Sequence, residues 1–303
     1  MESEQGFHDF PPAGAWDSHC HVVDEDTFPF DPQHSYRPAK ATVTDLQSFH
    51  QSIGITHSCL VAVSVYGTDS RSILNALKVL GKDSSPHRAV VTIDPSSITD
   101  DELAHLHDAG VRGVRMNLQT TGDAFDRQAV RQLADRIRPL NWTLQLYIGL
   151  DKINELSELL PELRVTVVVD HLGEPDDTKG PGRSQHGYTQ LLQHLKQGSL
   201  YVKLSGTYRF PKLPDLDEYV TEILREAPDR VVWASDWPHT AGPKANPGGD
   251  RTKVSAYRKF DDQAWVKQCA GWCHEAAVKD EVKAAELAQK IWVDNPRRLW
   301  QAE

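Results

Sequence analysis

Cysteine is scarce in this 303-residue sequence: Cys20, Cys59, Cys269 and Cys273 are all there are, and they lack the paired short spacings of a zinc site. A disulfide framework is thereby excluded, and a reducing compartment is expected. Long apolar runs are missing as well. The strongest, Val165 to Val169 and Ser58 to Val65, fall far short of the roughly 20 residues that cross a bilayer. Basic residues are outnumbered, 33 Lys and Arg against 43 Asp and Glu, and a net charge of -10 repels a phosphate backbone. Neither nucleic acid nor membrane is therefore an expected partner. The opening MESEQGFHDFPPAG has neither the basic start nor the apolar stretch of a secretory signal, so the expected location is the cytoplasm. No linker, low-complexity stretch or repeat interrupts the chain, and one domain over 1–303 is expected.

What is present is a rhythm. Eight short runs rich in Val, Ile, Leu and Thr recur: Ala15 to Val22, His57 to Val63, Arg88 to Ile93, Val111 to Asn117, Thr143 to Ile148, Arg164 to His171, Leu200 to Ser205 and Arg230 to Asp236. Several are continuously apolar, as parallel strands covered on both faces are. Helical patterns lie between them, at 44–52, 70–80, 100–109, 127–139, 153–160, 187–197 and 215–226, and two or more helices are expected between Tyr257 and Trp300. The fold class is α/β: a (β/α)8 TIM barrel with C-terminal closing helices. A doubly wound sheet would call for a Gly-rich turn after the first strand, where the sequence instead reads His19-Cys20-His21-Val22-Val23-Asp24.

Active sites of such barrels sit at the carboxyl ends of the strands, so the polar residues ending each run are the candidates. The first run delivers His19 and His21, two apart and hence on one side of a strand, with Cys20 facing away. The sixth delivers Asp170 and His171, the eighth Asp236. Three histidines and a carboxylate at one end make a metal or acid-base constellation. Asp17 reads either as an orienter of a histidine or as a structural carboxylate, and His239 as a pocket residue or a support behind it. Arg115 and Arg209 must meet a carboxylate, from the protein or from a substrate. Tyr36 and Tyr147 read equally as donors to a substrate oxygen or as core tyrosines, and Lys203 and Ser205 also end a run. Arg183, His186, Lys244 and Arg251, in the long loops after the sixth and eighth runs, favour an anionic substrate.

Taken in order, DSHCHV, FPFDPQHSYRP, VYGTD, GVRMN, VVVDHLG, VKLSGTYR, VVWASDWPHT and NPRRLW resemble the amidohydrolase superfamily, and within it the group containing 2-pyrone-4,6-dicarboxylate lactonase. The resemblance runs over nearly the whole chain. It implies hydrolysis of a lactone ring, with Asp236 activating a water and His19, His21 and His171 polarising the carbonyl. It further implies that Arg115, Tyr147 and Arg209, and more loosely Tyr36 and Thr68, bind a small anionic lactone or carboxylate; His239 is added as a binding candidate from its place three residues after Asp236. Many superfamily members bridge two metals through a carboxylated lysine or glutamate on the fourth strand and a histidine on the fifth. Arg115 or Asn117, and Tyr147, stand there, which argues against a dinuclear site. The expected cofactor is none, or one divalent ion, Zn2+ or Mn2+, held by His19, His21 and Asp236. Where the dicarboxylate lactonase has a further basic residue, this chain reads LQTTGDAFDR, which points to one substrate carboxylate or a different ring. The alternatives are a metal-dependent non-oxidative decarboxylase of an aromatic acid and a non-catalytic barrel binding a small ligand; a homo-oligomer is left open.

Overall fold

The computed structural model describes residues 10–83, 86–121, 124–240, 246 and 249–302. Eight parallel strands follow one another around a sheet: β1 (Trp16–Cys20), β3 (His57–Val61), β4 (Arg88–Val91), β5 (Val111–Asn117), β6 (Thr143–Tyr147), β7 (Val167–Val169), β8 (Tyr201–Leu204) and β9 (Val231–Trp233). Each lies within one of the eight apolar runs. The sheet closes on itself where Asp236 N–H donates to the His19 carbonyl (2.8 Å) and His21 N–H to the Trp237 carbonyl (2.9 Å). The result is the expected (β/α)8 barrel.

Alternation along the strands divides the core in two. Leu60, Ala89, Val91, Val114, Leu144, Leu146, Val169 and Leu204 face outward into the layer shared with the helices. Trp16, Cys59, Val61, Val90, Val168, Tyr201 and Val232 face inward and pack with Leu299 and Trp300. Residues near 300 thus plug the barrel from below: Trp300 donates its indole N–H to Ser18 Oγ (3.1 Å), while Arg88 holds the Trp300 and Gln301 carbonyls (3.2 and 3.1 Å).

The helices are α1 (Val43–Ile53), α2 (Arg71–Leu80), α3 (Asp100–Asp108), α4 (Leu118–Thr121), α5 (Arg127–Ile137), α6 (Ile153–Leu163), α7 (Tyr188–Gln197), α8 (Leu216–Glu226), α9 (Asp262–Ala276), α10 (Glu281–Gln289) and α11 (Asn295–Leu299). Caps explain the starts of α1, α3, α5, α9 and α10. Thr42 with Asp45 and Thr99 with Glu102 form capping boxes, so Thr99 rather than the aspartates after it begins α3. Two bounds differ from the sequence expectation by more than one residue: α5 stops at Ile137, ahead of Pro139, and α6 runs past Pro161 to Leu163. A two-residue parallel ribbon, β2 (Arg37–Pro38) with β10 (Val254–Ser255), was not anticipated. It lies beside a small apolar cluster that includes Val23, Phe30, Tyr36, Val63 and Tyr66. No described helix is long and apolar enough to cross a membrane.

Candidate active site

The two histidines of β1 meet as their spacing requires: His19 Nε2 and His21 Nε2 are 3.2 Å apart. His21 is fixed from behind, because its Nδ1 lies 2.7 Å from the Val61 carbonyl, which can only accept. The strand register slips between Asp17 and Cys20. That irregularity turns Asp17 outward, to accept from Ser235, from His50 Nε2 (3.1 Å) and from the His19 backbone N–H (3.1 Å). Asp17 is therefore a structural carboxylate that ties β1 to α1 and to the end of β9.

Asp236 is fully buried facing the histidine pair. Its Oδ2 accepts from Arg209 (2.6 Å from Nη2) and from the Tyr208 hydroxyl. Its Oδ1 has no hydrogen-bond partner and lies 3.6 Å from both His19 Nε2 and His21 Nε2. Burial works to raise the Asp236 pKa, but Arg209, His171 and the two β1 histidines outweigh it and hold the carboxyl well below its usual range. Asp236 has φ +63°, a strained backbone that aims the side chain inward. His171, also at positive φ, bonds Ser205 Oγ through Nδ1 (2.9 Å) and leaves Nε2 unpartnered, 3.9 Å from Asp236 Oδ2. Burial, helped by Arg209 and Arg115 and opposed by Asp236, pushes the His171 pKa down to about 3. It is a neutral ring at physiological pH. Gly206 makes room for it: with φ +67°, a Cβ there would sit 2.7 Å from His171 Nδ1.

Beneath this layer lies a buried polar network. Lys203, fully buried, donates to Gln145 Oε1 (2.7 Å) and approaches Asp170 Oδ1 (3.4 Å) and His19 Nδ1 (3.3 Å). Asp170 Oδ2 accepts from Gln145 (3.0 Å) and Arg115 (3.5 Å). Burial raises the Asp170 pKa, yet Lys203, His19 and Arg115 keep it well below the usual carboxylate range. Lys203 stands 5.3 Å over the Trp300 ring, between the plug and the histidines.

The other expected residues divide. Tyr147 packs edge-on against His171 and accepts from Arg209 Nη1 (3.2 Å), and Arg115 lies 5.7 Å over its ring with an unpartnered buried Nε. Tyr36 is buried within reach of the fields of Arg115 and Arg209. His239 does not reach the histidine cluster: it bonds Asp262 (3.0 Å) and packs its ring against Tyr208, which it supports. Thr68 is placed elsewhere. The turn through Ser64–Tyr66 and Gly67, at φ +56°, carries it onto an exposed groove shared with Thr92 and Asp94. The loop cations are also engaged away from the centre: Arg183 pairs with Asp215 and Glu222, and Arg251 with the Pro32 carbonyl. Lys244 lies outside the described residues. His186 lines the 430 Å³ cavity at the mouth, together with Gln119, Gly149, Glu174, Lys179 and Arg209. Tyr208 was missed because it sits beside Arg209 on a short turn, Thr207–Arg209, where strand alternation gives no guidance.

The ligand atoms of His19, His21 and Asp236 lie within 4.8 Å of one another, and the orphaned Asp236 Oδ1 faces both Nε2 atoms. That donor set fits one divalent ion of the zinc or manganese kind. The bridging positions on the fourth and fifth barrel strands hold Arg115 and Tyr147, neither of them a carboxylated lysine, glutamate or histidine, while His19, Asp170 and His171 form a second group of potential ligand atoms within 4.8 Å of one another.

The chain is 32% identical to a 2-pyrone-4,6-dicarboxylate hydrolase of Comamonas testosteroni, over 96% of this chain and 92% of that protein. It is 27% identical to a 4-sulfomuconolactone hydrolase of Rhizobium radiobacter, over 95% and 90%. A crystal structure of a putative 2-pyrone-4,6-dicarboxylic acid hydrolase from Pseudomonas putida superposes with a TM-score of 0.74 at 27% identity, covering 96% of this chain and 99% of that one. The family model described as amidohydrolase matches residues 16–302. With the barrel, the ordered motifs and this match in agreement, the chain belongs to the amidohydrolase family.

Proposed function

We propose that this protein hydrolyses the ring ester of a small carboxylated lactone, acting in the cytoplasm. The observation that carries the reading is the asymmetry of Asp236: one oxygen is held by Arg209 and Tyr208, while the other is unpartnered and faces His19 and His21. A water at that free oxygen loses its proton to Asp236 as its oxygen attacks the lactone carbonyl carbon. Imidazole N–H groups at the mouth donate to the developing oxyanion. Collapse breaks the ring C–O bond, and the departing oxygen takes the proton that Asp236 received from the water, which leaves an open-chain acid and returns Asp236 to its carboxylate. A divalent ion held by His19, His21 and Asp236 would, when bound, polarise the carbonyl and acidify the water.

A carboxyl held so far below its usual range is a weak base. Arg209 resolves the conflict. A substrate carboxylate placed between Arg209 and Arg115 draws the guanidinium charge toward itself, and Asp236 regains basicity only when substrate is bound. Arg115, with its unpartnered buried Nε, and Tyr147 complete that anion site. Gln119 lines the mouth where the resemblance places a further basic residue, which supports one substrate carboxylate rather than two. The two named relatives that match over about nine-tenths of their own length are lactone hydrolases by name, which favours ring opening over decarboxylation. The test is ring opening of a panel of carboxylated pyrones and sugar lactones, before and after exhaustive chelation. Turnover of one or more lactones supports the reading. Failure on the whole panel, with decarboxylation of a hydroxylated aromatic acid in the presence of metal, would replace it.

A further inference from the structure

The end of the barrel opposite the histidines carries a cavity of 360 Å³ that no step above uses. It is framed by the segments that lead into β6, β7, β8 and β9. Its charged lining is Arg138, Arg164 and Arg230, with no carboxylate among the described residues. Acidic residues outnumber basic ones in this chain, 43 to 33, yet none is set on this wall to offset the mutual repulsion of three guanidinium groups. The three are held in place by neutral contacts. Arg230 lies 4.8 Å over the Tyr201 ring and donates to its hydroxyl (2.6 Å), and Gly198 leaves the space it fills, since a Cβ there would come 2.7 Å from Nη2. Arg138 donates through Nε and Nη2 to the Leu163 carbonyl (3.3 and 2.9 Å), and its one carboxylate partner, Asp135, is exposed. Arg164 follows α6 at φ +52°, the left-handed position at a helix end that glycine usually takes, and its guanidinium has no partner among the described residues. No contact of that side chain within the protein offsets the strain of its backbone.

We propose that this cavity is a second ligand site, at the closed end of the barrel, for a small organic polyanion bearing two or more carboxylate or phosphate groups. Guanidinium forks take the oxygens of either group in pairs. The ligand supplies the negative charge that the wall lacks, and Pro161 and Val165 offer carbon surface to its skeleton. The volume lies at the small end of the range for small-molecule sites, about 300–1,000 Å³. Arg138, Arg164 and Arg230 come from three different connections, so a ligand that engages all three ties together the entries to β6, β7 and β9. The plug reaches the same rim, where Gln301 donates to the carbonyl of Asn141. Occupancy therefore stabilises the folded barrel by mass action.

The test is titration calorimetry at low ionic strength with two probes, propane-1,2,3-tricarboxylate and inorganic pyrophosphate. The wild type should bind at least one of them, and its melting temperature should rise with that probe. Arg164→Gln and Arg230→Gln should each weaken the binding at least tenfold. Arg127→Gln, which removes the same charge from a surface pair with Glu158, should leave it unchanged. A preference for the tricarboxylate assigns the site to polycarboxylic acids, and a preference for pyrophosphate assigns it to phosphorylated molecules. Binding of neither probe by the wild type would overturn the proposal. So would wild-type affinity in Arg164→Gln, because the heat would then come from Arg209 and Arg115 at the other end of the barrel. Arg164 is exposed, so its replacement keeps the test decisive even if Arg230→Gln does not fold. No lactone enters these measurements, and a protein that opens none would refute the proposed function while leaving this result standing.

Discussion

Replacing Asp236 with Asn isolates the proposed base with little change of shape. The amide oxygen can take over the hydrogen bonds from Arg209 and Tyr208 that now reach Oδ2, so the fold around it should hold. What changes is the free position 3.6 Å from His19 Nε2 and His21 Nε2, where a proton acceptor becomes an NH2 donor. Loss of a positioned base lowers turnover by about 10² to 10⁴, and at about 1.36 kcal/mol per tenfold the lower bound is about 2.7 kcal/mol of transition-state stabilisation. Because the free oxygen meets water and not the substrate's anionic group, kcat should carry the loss and KM should change little. Initial rates at saturating and limiting lactone, with circular dichroism as a folding check, give both constants. A folded variant retaining a third or more of the wild-type kcat would refute the assignment of Asp236.

Tyr208→Phe removes a donor to a buried carboxylate; a loss of about 1.5–3 kcal/mol is expected in denaturant unfolding, with a smaller fall in kcat than for Asp236→Asn. Gly206→Ala puts a Cβ 2.7 Å from His171 Nδ1 at a φ of +67°, and should cost about 1–3 kcal/mol while displacing the ring. Its melting temperature and kcat should drop together, and a variant matching the wild type in both would show that His171 has slack. Stability should also decline with acid, measured as melting temperature against pH. His171 is about 3 when folded and near 6.5 when unfolded, so the unfolded chain binds the extra proton and stability is lost as pH falls through that interval. Asp236 and Asp170, both depressed, add their loss only below the unfolded carboxylate range near 4. His171→Gln should flatten the upper part of the curve, between about pH 6.5 and 4; an unchanged slope there would refute the His171 contribution.

Much of this was legible in sequence because parallel strands covered on both faces write themselves as apolar runs, and a barrel puts the ends of those runs together. All eight strands fell inside such runs, and His19, His21, His171 and Asp236 stand at their ends. The pairing of Lys203, Gln145 and Asp170 was hidden because it depends on the register between neighbouring strands, which no single run specifies. Asp17 was ambiguous because strict alternation puts it on the side of His19; the irregularity in β1 moves it to the other. The place of Thr68, apart from the histidines, could not be read from its motif because a three-residue turn and one left-handed glycine redirect the chain before it. Tyr208 and the β2–β10 ribbon are too short in extent to leave a periodic signal.

The plug formed by Trp300 makes the site a blind well. With Trp16, Val232 and Leu299 packed around that indole, the barrel has an apolar floor, and every molecule that enters must leave by the way it came. In the proposed reaction the opened acid carries one more carboxylate than the lactone and would depart past Arg209 and Arg115, the two cations proposed to hold the lactone's own carboxylate. Product should therefore linger at its own exit and compete with the next lactone, so that turnover is throttled as the acid accumulates and resumes as the acid is drawn off.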